Sequence, residues 1–167
     1  MFLKNYHYIK NKEIYLLILL ILFSIFIRIP VIFLYGDTAL ENEWLILVNN
    51  LTNHGILAFD YHDHNLGKYL FPNLYMPPLY AYYVYIFLAF GLESQNYILT
   101  ILFSQALLAS ISVAIFYKIS KLFFSKTISL SISLLYSLFP LHVYACSQIS
   151  SISLQTFLTI LFIYLFF

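Results

Sequence analysis

Residues 14–34, IYLLILLILFSIFIRIPVIFL, form an apolar run interrupted only by Ser24, Arg28 and Pro30. A helix of that length reaches about 30 Å at 1.5 Å per residue, the thickness of a bilayer's hydrocarbon core. The run is too long for a signal peptide and no small-residue cleavage site follows it, so it reads as a retained first span. The whole chain agrees: 62% of its residues are hydrophobic, 9% are charged, and its mean hydropathy is +0.87. A soluble domain carries about 25% charged residues. The predicted class is therefore an all-α integral membrane protein, a multispan helical bundle with an outer loop containing interfacial amphipathic helices. A net charge of +1 excludes a polybasic nucleic-acid surface. Cys146, the single cysteine, has no internal partner and reads as packing.

Lys4, Lys10 and Lys12 precede the first run and place the N-terminus in the cytoplasm, in the cell (inner) membrane. Residues 35–96 then form a loop outside. Arg28 sits near the outer end of the first span, where it either snorkels to the surface or serves a function. The run after Pro77-Pro78, Leu79–Leu92, is short for a span and rich in tyrosine. If it crossed the membrane, Lys118, Lys121 and Lys126 would face outward, against the positive-inside rule. The preferred topology keeps it at the outer surface, with spans at about 14–34, 97–117, 127–144 and 151–167. Pro140 predicts a kink in the third of these. The sequence stops inside the fourth run, which is the expectation for the front part of a longer protein.

The outer loop holds most of the polar chemistry. Leu40, Trp44, Leu47, Val48 and Leu51 fall at helical spacing and predict an amphipathic helix over 40–53, with Thr38 as N-cap and His54-Gly55 as its end. Its Trp and Leu face is expected to lie in the membrane interface. Residues 58–73 read as loop. Tyr80–Phe90 could stack on sugars or prenyl chains, though interfacial anchoring is the plainer account. His142 and Gln148 read as ordinary residues at helix ends.

A first span ending in Arg28-Ile29-Pro30, an outer Gly36-Asp37, an acidic amphipathic helix with Glu41, Glu43, Trp44 and Leu51 ending in His54-Gly55, and Met76-Pro77-Pro78-Leu79-Tyr80 follow in order. This series resembles the N-terminal part of the GT-C class of membrane glycosyltransferases, in particular the protein-mannosyltransferase and aminoarabinose-transferase-like group. The resemblance implies transfer of a sugar from a polyprenyl-phosphate carrier to an acceptor at the outer face. It also implies that the first outer loop carries an acidic catalytic residue. The partners it implies are the lipid-linked donor and membrane lipid. One departure stands out. The aminoarabinose branch has a Lys just before Pro-Pro that contacts the lipid phosphate, and here that position is Met76. Lys68 or Arg28 would take its role, or the carrier is held by residues beyond Phe167.

Such chemistry needs a carboxylate to take the acceptor proton and cations or donors to stabilise the departing phosphate. Asp37 is the first candidate base, because it follows Gly36 where the chain leaves the membrane. Glu43 is second and Glu41 third. The plainer account of these acids is that they complement a helix N-terminus. Arg28, Lys68, Trp44, Pro77, Pro78 and Tyr80 are the substrate-binding candidates. No cofactor is certain. Asp60, His62 and His64 would share one side of an extended strand and could bind a divalent ion, but a polar loop often collects such residues. Two other classes stay open: a fragment of a multispan transporter or flippase, and a small non-catalytic membrane scaffold.

Overall fold

The computed structural model describes residues 2–40, 42–63, 67–72, 76–89 and 94–167, with side chains from residue 13 onward except at 42, 61–63, 67–68 and 94–96. Among the described residues the elements are, in order, α1 (Phe2–Tyr35), α2 (Asn42–His54), β1 (Ala58–Asp63), β2 (Gly67–Pro72), α3 (Pro78–Ala89), α4 (Ser94–Phe123), α5 (Lys126–Leu138), α6 (Pro140–Ala145) and α7 (Ile152–Phe166). They fall into two compact units. One comprises Met1–Gly36 and Leu102–Phe167; the other is Asp37–Ile101.

In the first unit α1 and α4 run antiparallel. Lys121 Nζ lies 2.6 Å from the Glu13 carboxylate at one end, and the Phe33 and Phe103 rings meet edge to face at 6.0 Å toward the other. There Gln105 Nε2 donates to the Gln148 carbonyl at 2.9 Å, and Gln148 Nε2 donates to the Tyr35 carbonyl at 2.8 Å. Gln148 is thus a tether between three segments. Helix α7 runs alongside α4 in the same sense, since Lys118 lies over the Tyr164 ring and Phe123 meets Phe167.

The first unit buries polar groups and exposes apolar ones. Helix α1 buries Leu20, Ser24, Arg28 and Ile32 at four-residue spacing, while Tyr15, Phe26 and Leu34 are exposed, Phe26 to 74%. Helix α5 buries Ser129, Ser133 and Ser137 and exposes Leu135 and Leu138. Ser129 and Ser133 hydroxyls donate back to carbonyls one turn earlier, Ser125 at 3.0 Å and Ser129 at 2.8 Å. Small side chains whose hydroxyls are satisfied within their own helix let neighbouring helices approach closely.

Among the described residues two helices are long and apolar enough to cross a membrane, Glu13–Tyr35 and Tyr97–Phe123, where the first two expected spans fall. The third expected span is broken rather than kinked. Helix α5 stops at Leu138, Phe139 is extended at φ −62° and ψ 117°, and α6 starts at Pro140. Proline lacks the N–H to continue the ladder and pushes the preceding residue out of helical geometry. The fourth expected span is the 15-residue α7, apolar but short.

The second unit holds α2, the hairpin and α3. The apolar face expected over 40–53 is present: Leu47, Val48 and Leu51 on α2 are buried, as is Leu40 just before it. It packs against α3 and β1 instead of lying free for the interface. The helix starts at Asn42, so Thr38 lies too far upstream to cap it. The end is as expected. Gly55 adopts φ +72°, and its N–H donates to the Leu51 carbonyl at 3.0 Å, the left-handed cap that glycine accepts without strain.

Residues 58–63 and 67–72, expected as loop, instead form an antiparallel pair with Phe59 opposite Phe71, Asp60 opposite Leu70 and His62 opposite Lys68. The two strands hold no β-branched residue, and their pairing rests on cross-strand aromatic partners and on α2. Asn50, buried on α2, donates from Nδ2 to the Ala58 carbonyl at 2.8 Å and to Asp60 Oδ1 at 3.1 Å, pinning β1 to the helix.

Candidate functional site

Asp37 opens the second unit directly after Gly36. A Cβ at Gly36 would collide with the Ile32 carbonyl oxygen, and the Gly36 N–H donates to that same carbonyl at 2.9 Å. The turn that delivers Asp37 therefore requires glycine. Asp37 is half-buried.

Tyr80 lies beside it. Pro78 is the first residue of α3, where its missing N–H costs nothing. The Pro77 carbonyl accepts the Tyr80 N–H at 3.2 Å, so the proline pair sets the first turn of α3 and with it the direction of Tyr80. Tyr80 is 1% exposed. Trp44 meets it edge to face at 4.7 Å, Tyr83 stacks on it at 5.6 Å, and Phe87 continues the row from Tyr83 at 5.2 Å. Burial, then the neighbouring Tyr83 and then the Asp37 carboxylate push the Tyr80 phenol well above its usual range. Tyr80 is thus a neutral hydroxyl within electrostatic reach of a carboxylate. Such a pair can hold and orient a base without competing for its proton.

Asp37, Trp44, Tyr80, Pro77 and Pro78 are thus gathered in one unit. Tyr83, from the Tyr80–Phe90 run, stacks on Tyr80, and Asn50, unforeseen, holds β1 in the same unit. The spacing of Tyr83 three residues after Tyr80 on a helix was the available signal for the first. Glu43 is exposed in the first turn of α2, where a carboxylate complements the helix dipole. Glu41 and His64 lie outside the described residues, as do the side chains of His62 and Lys68. Asp60 is engaged by Asn50, and among the described residues no group of three metal-ligating side chains comes together.

Arg28 belongs to the first unit and does not snorkel. It is 1% exposed and turned inward, where Nη1 donates to Ser24 Oγ, to the Ser24 carbonyl at 3.0 Å and to the Ser137 carbonyl at 3.5 Å. Inward acceptors on α1 and α5 hold the head that solvent was expected to hold.

No family model matches this chain, and neither does any curated protein or solved structure.

Proposed function

We propose that this chain serves an integral membrane glycosyltransferase activity resembling that of the GT-C class, moving a sugar from a polyprenyl-phosphate carrier to an acceptor at the outer face. The observation that carries this reading is the Asp37–Tyr80 pair: a half-buried carboxylate beside a buried neutral phenol, walled by Trp44 and Tyr83. In this mechanism Asp37 takes the acceptor hydroxyl proton as the oxygen attacks the anomeric carbon, and the bond to the carrier phosphate breaks. Tyr80 is the positioning residue for Asp37. The leaving phosphate needs a cation, and Lys68 is the candidate that belongs to the same unit as Asp37.

The inverted burial of the first unit, with serines and Arg28 inside and Phe26 and Leu34 outside, supports a bilayer as its surroundings. The Glu13–Lys121 contact supports the preferred topology. With α1 running outward and α4 inward, residues 4–13 and 118–126 lie together on the cytoplasmic side.

The test is transfer from a radiolabelled polyprenyl-phosphate sugar in membranes, comparing the full chain with Asp37→Asn. Loss of transfer at unchanged expression supports the reading. Full activity in the variant removes Asp37 and moves the search to Glu43. The alternative of a transporter or flippase is favoured by one observation, the charge of Arg28 buried in α1. Movement of a labelled lipid across vesicles by Asp37→Asn as by the unaltered chain, with no transfer by either, would select it.

A further inference from the structure

The charges of the chain are unevenly placed. Every basic residue but Lys68 lies in the first unit, and of the seven acidic residues only Glu13 does. At the Glu13 end of that unit a pocket of about 430 Å³ opens between α1, α4 and α7. Glu13 and Ile14 line it from α1, Lys118, Lys121 and Leu122 from α4, and Tyr164 from α7.

The two lysines are held differently. Lys121 is engaged by the Glu13 carboxylate at 2.6 Å. Lys118 has no carboxylate partner among the described residues, and its Nζ lies 5.5 Å from the centre of the Tyr164 ring. A ring face attracts an ammonium but accepts no ion pair, so Lys118 keeps donors for an anion. The pocket sets two ammonium groups against one carboxylate and is net positive.

Beside this cation the surface is apolar. Ile14 and Leu122 are exposed to 45% and 56%, and Ile18, one turn further along α1, to 48%. A small soluble anion has no use for such a wall. An anionic head that continues into acyl chains matches both halves, with the charge at the ammonium and hydrocarbon against isoleucine and leucine. Basic pockets between membrane helices on the cytoplasmic side take anionic headgroups by this complementarity, and in the topology preferred above this end is the cytoplasmic one.

We propose that the pocket between α1, α4 and α7 binds the phosphodiester head of an anionic glycerophospholipid, with Lys118 as its cation and Glu13 neutralising Lys121. Glu13 and Tyr35 stand at opposite ends of the first apolar helix. The site is therefore separate from the carboxylate that follows Gly36, and it does not rest on the transfer reading.

The test is lipid binding. The full chain in detergent is titrated with phosphatidylglycerol, with phosphatidylcholine of the same acyl chains and with inorganic phosphate, and bound lipid is counted by native mass spectrometry. Phosphatidylglycerol is expected to bind more tightly than phosphatidylcholine. Lys118→Gln should weaken it about fivefold, the worth of one lysine near an anionic headgroup. Glu13→Gln should strengthen it by a similar factor, because the variant removes the pocket's carboxylate and releases Lys121. A purely structural role for the Glu13–Lys121 pair predicts the opposite sign. Lys126→Gln removes the same charge outside the pocket lining and should leave binding nearly unchanged. Asp37→Asn should bind as the unaltered chain does, so that failure of the transfer reading and failure of this site are told apart. Equal binding of the two lipids would overturn the proposal. So would undiminished binding by a folded Lys118→Gln, weaker binding by Glu13→Gln, or an equal loss in Lys126→Gln, which would make net charge alone the cause. Displacement of the lipid by inorganic phosphate at matched concentration would overturn it in favour of a free anion.

Discussion

Lys121 and Glu13 pair at 2.6 Å across the neighbouring ends of α4 and α1. The two residues are 108 positions apart, and their meeting makes the two long apolar helices an antiparallel pair. Both side chains keep about a third of their surface exposed, 33% and 38%. Their value is therefore as a mark of orientation more than as a source of stability.

The orientation gives the first prediction. Cysteines placed at Thr38 and at Lys126 should be labelled by a membrane-impermeant thiol reagent from opposite sides of intact cells, Thr38→Cys from outside and Lys126→Cys only after permeabilisation. Glu13→Gln should leave this pattern intact and cost less than about 1 kcal/mol in unfolding. Labelling of both sites from one side would remove the topology.

Gly36 gives the second. Gly36→Ala drives a methyl group into the Ile32 carbonyl. The end of α1 must open to admit it, at about 1–3 kcal/mol. The melting temperature in detergent should fall, and transfer should fall further than stability does, because Asp37 is the next residue.

Tyr80 separates packing from chemistry. Tyr80→Ala empties a site walled by Trp44 and Tyr83 and should cost about 3–5 kcal/mol. Tyr80→Phe keeps the ring and removes the hydroxyl near Asp37. It should melt near the unaltered protein and lose about tenfold or more in transfer rate, with the apparent affinity for donor little changed.

Asn50 is the joint between α2 and β1. Asn50→Ala leaves the Ala58 carbonyl without its side-chain donor and should cost about 1–3 kcal/mol. Hydrogen exchange should quicken in β1 and β2 while α1 and α5 keep their protection.

The helices were legible where their signal is local. Leu40, Trp44, Leu47, Val48 and Leu51 declare one face of α2 by spacing alone, and Gly55 declares its end. The hairpin was hidden because its evidence is not local. Asp60, His62, Asp63 and Gly67 are weak strand formers, and what makes them a strand is Phe59 opposite Phe71 and the side chain of Asn50 on another element. That same hairpin covers the face of α2 that periodicity alone assigned to the membrane interface. Of the two accounts of Arg28, the snorkelling one fails for a related reason. The neighbours of Arg28 in sequence are all apolar, which favours escape to the surface, whereas one of its acceptors is the carbonyl of Ser137, 109 residues away. Pro140 was seen as a bend, but its effect on Phe139 is enough to end one helix and begin another. Among the site residues, Trp44 meets Tyr80 and Asp37 lies within its electrostatic reach, contacts that motif order alone does not give, while Glu43 is exposed in the first turn of α2.

The distance in sequence between Arg28 and Ser137 also bears on how the protein is made. A ribosome delivers α1 long before α5, so in a chain threaded into a bilayer from its N-terminus the guanidinium enters before the helix that will shelter it exists. Until then the Ser24 oxygens of α1 itself are its acceptors. In such a chain the contact with the Ser137 carbonyl is the later one, formed only when α5 arrives.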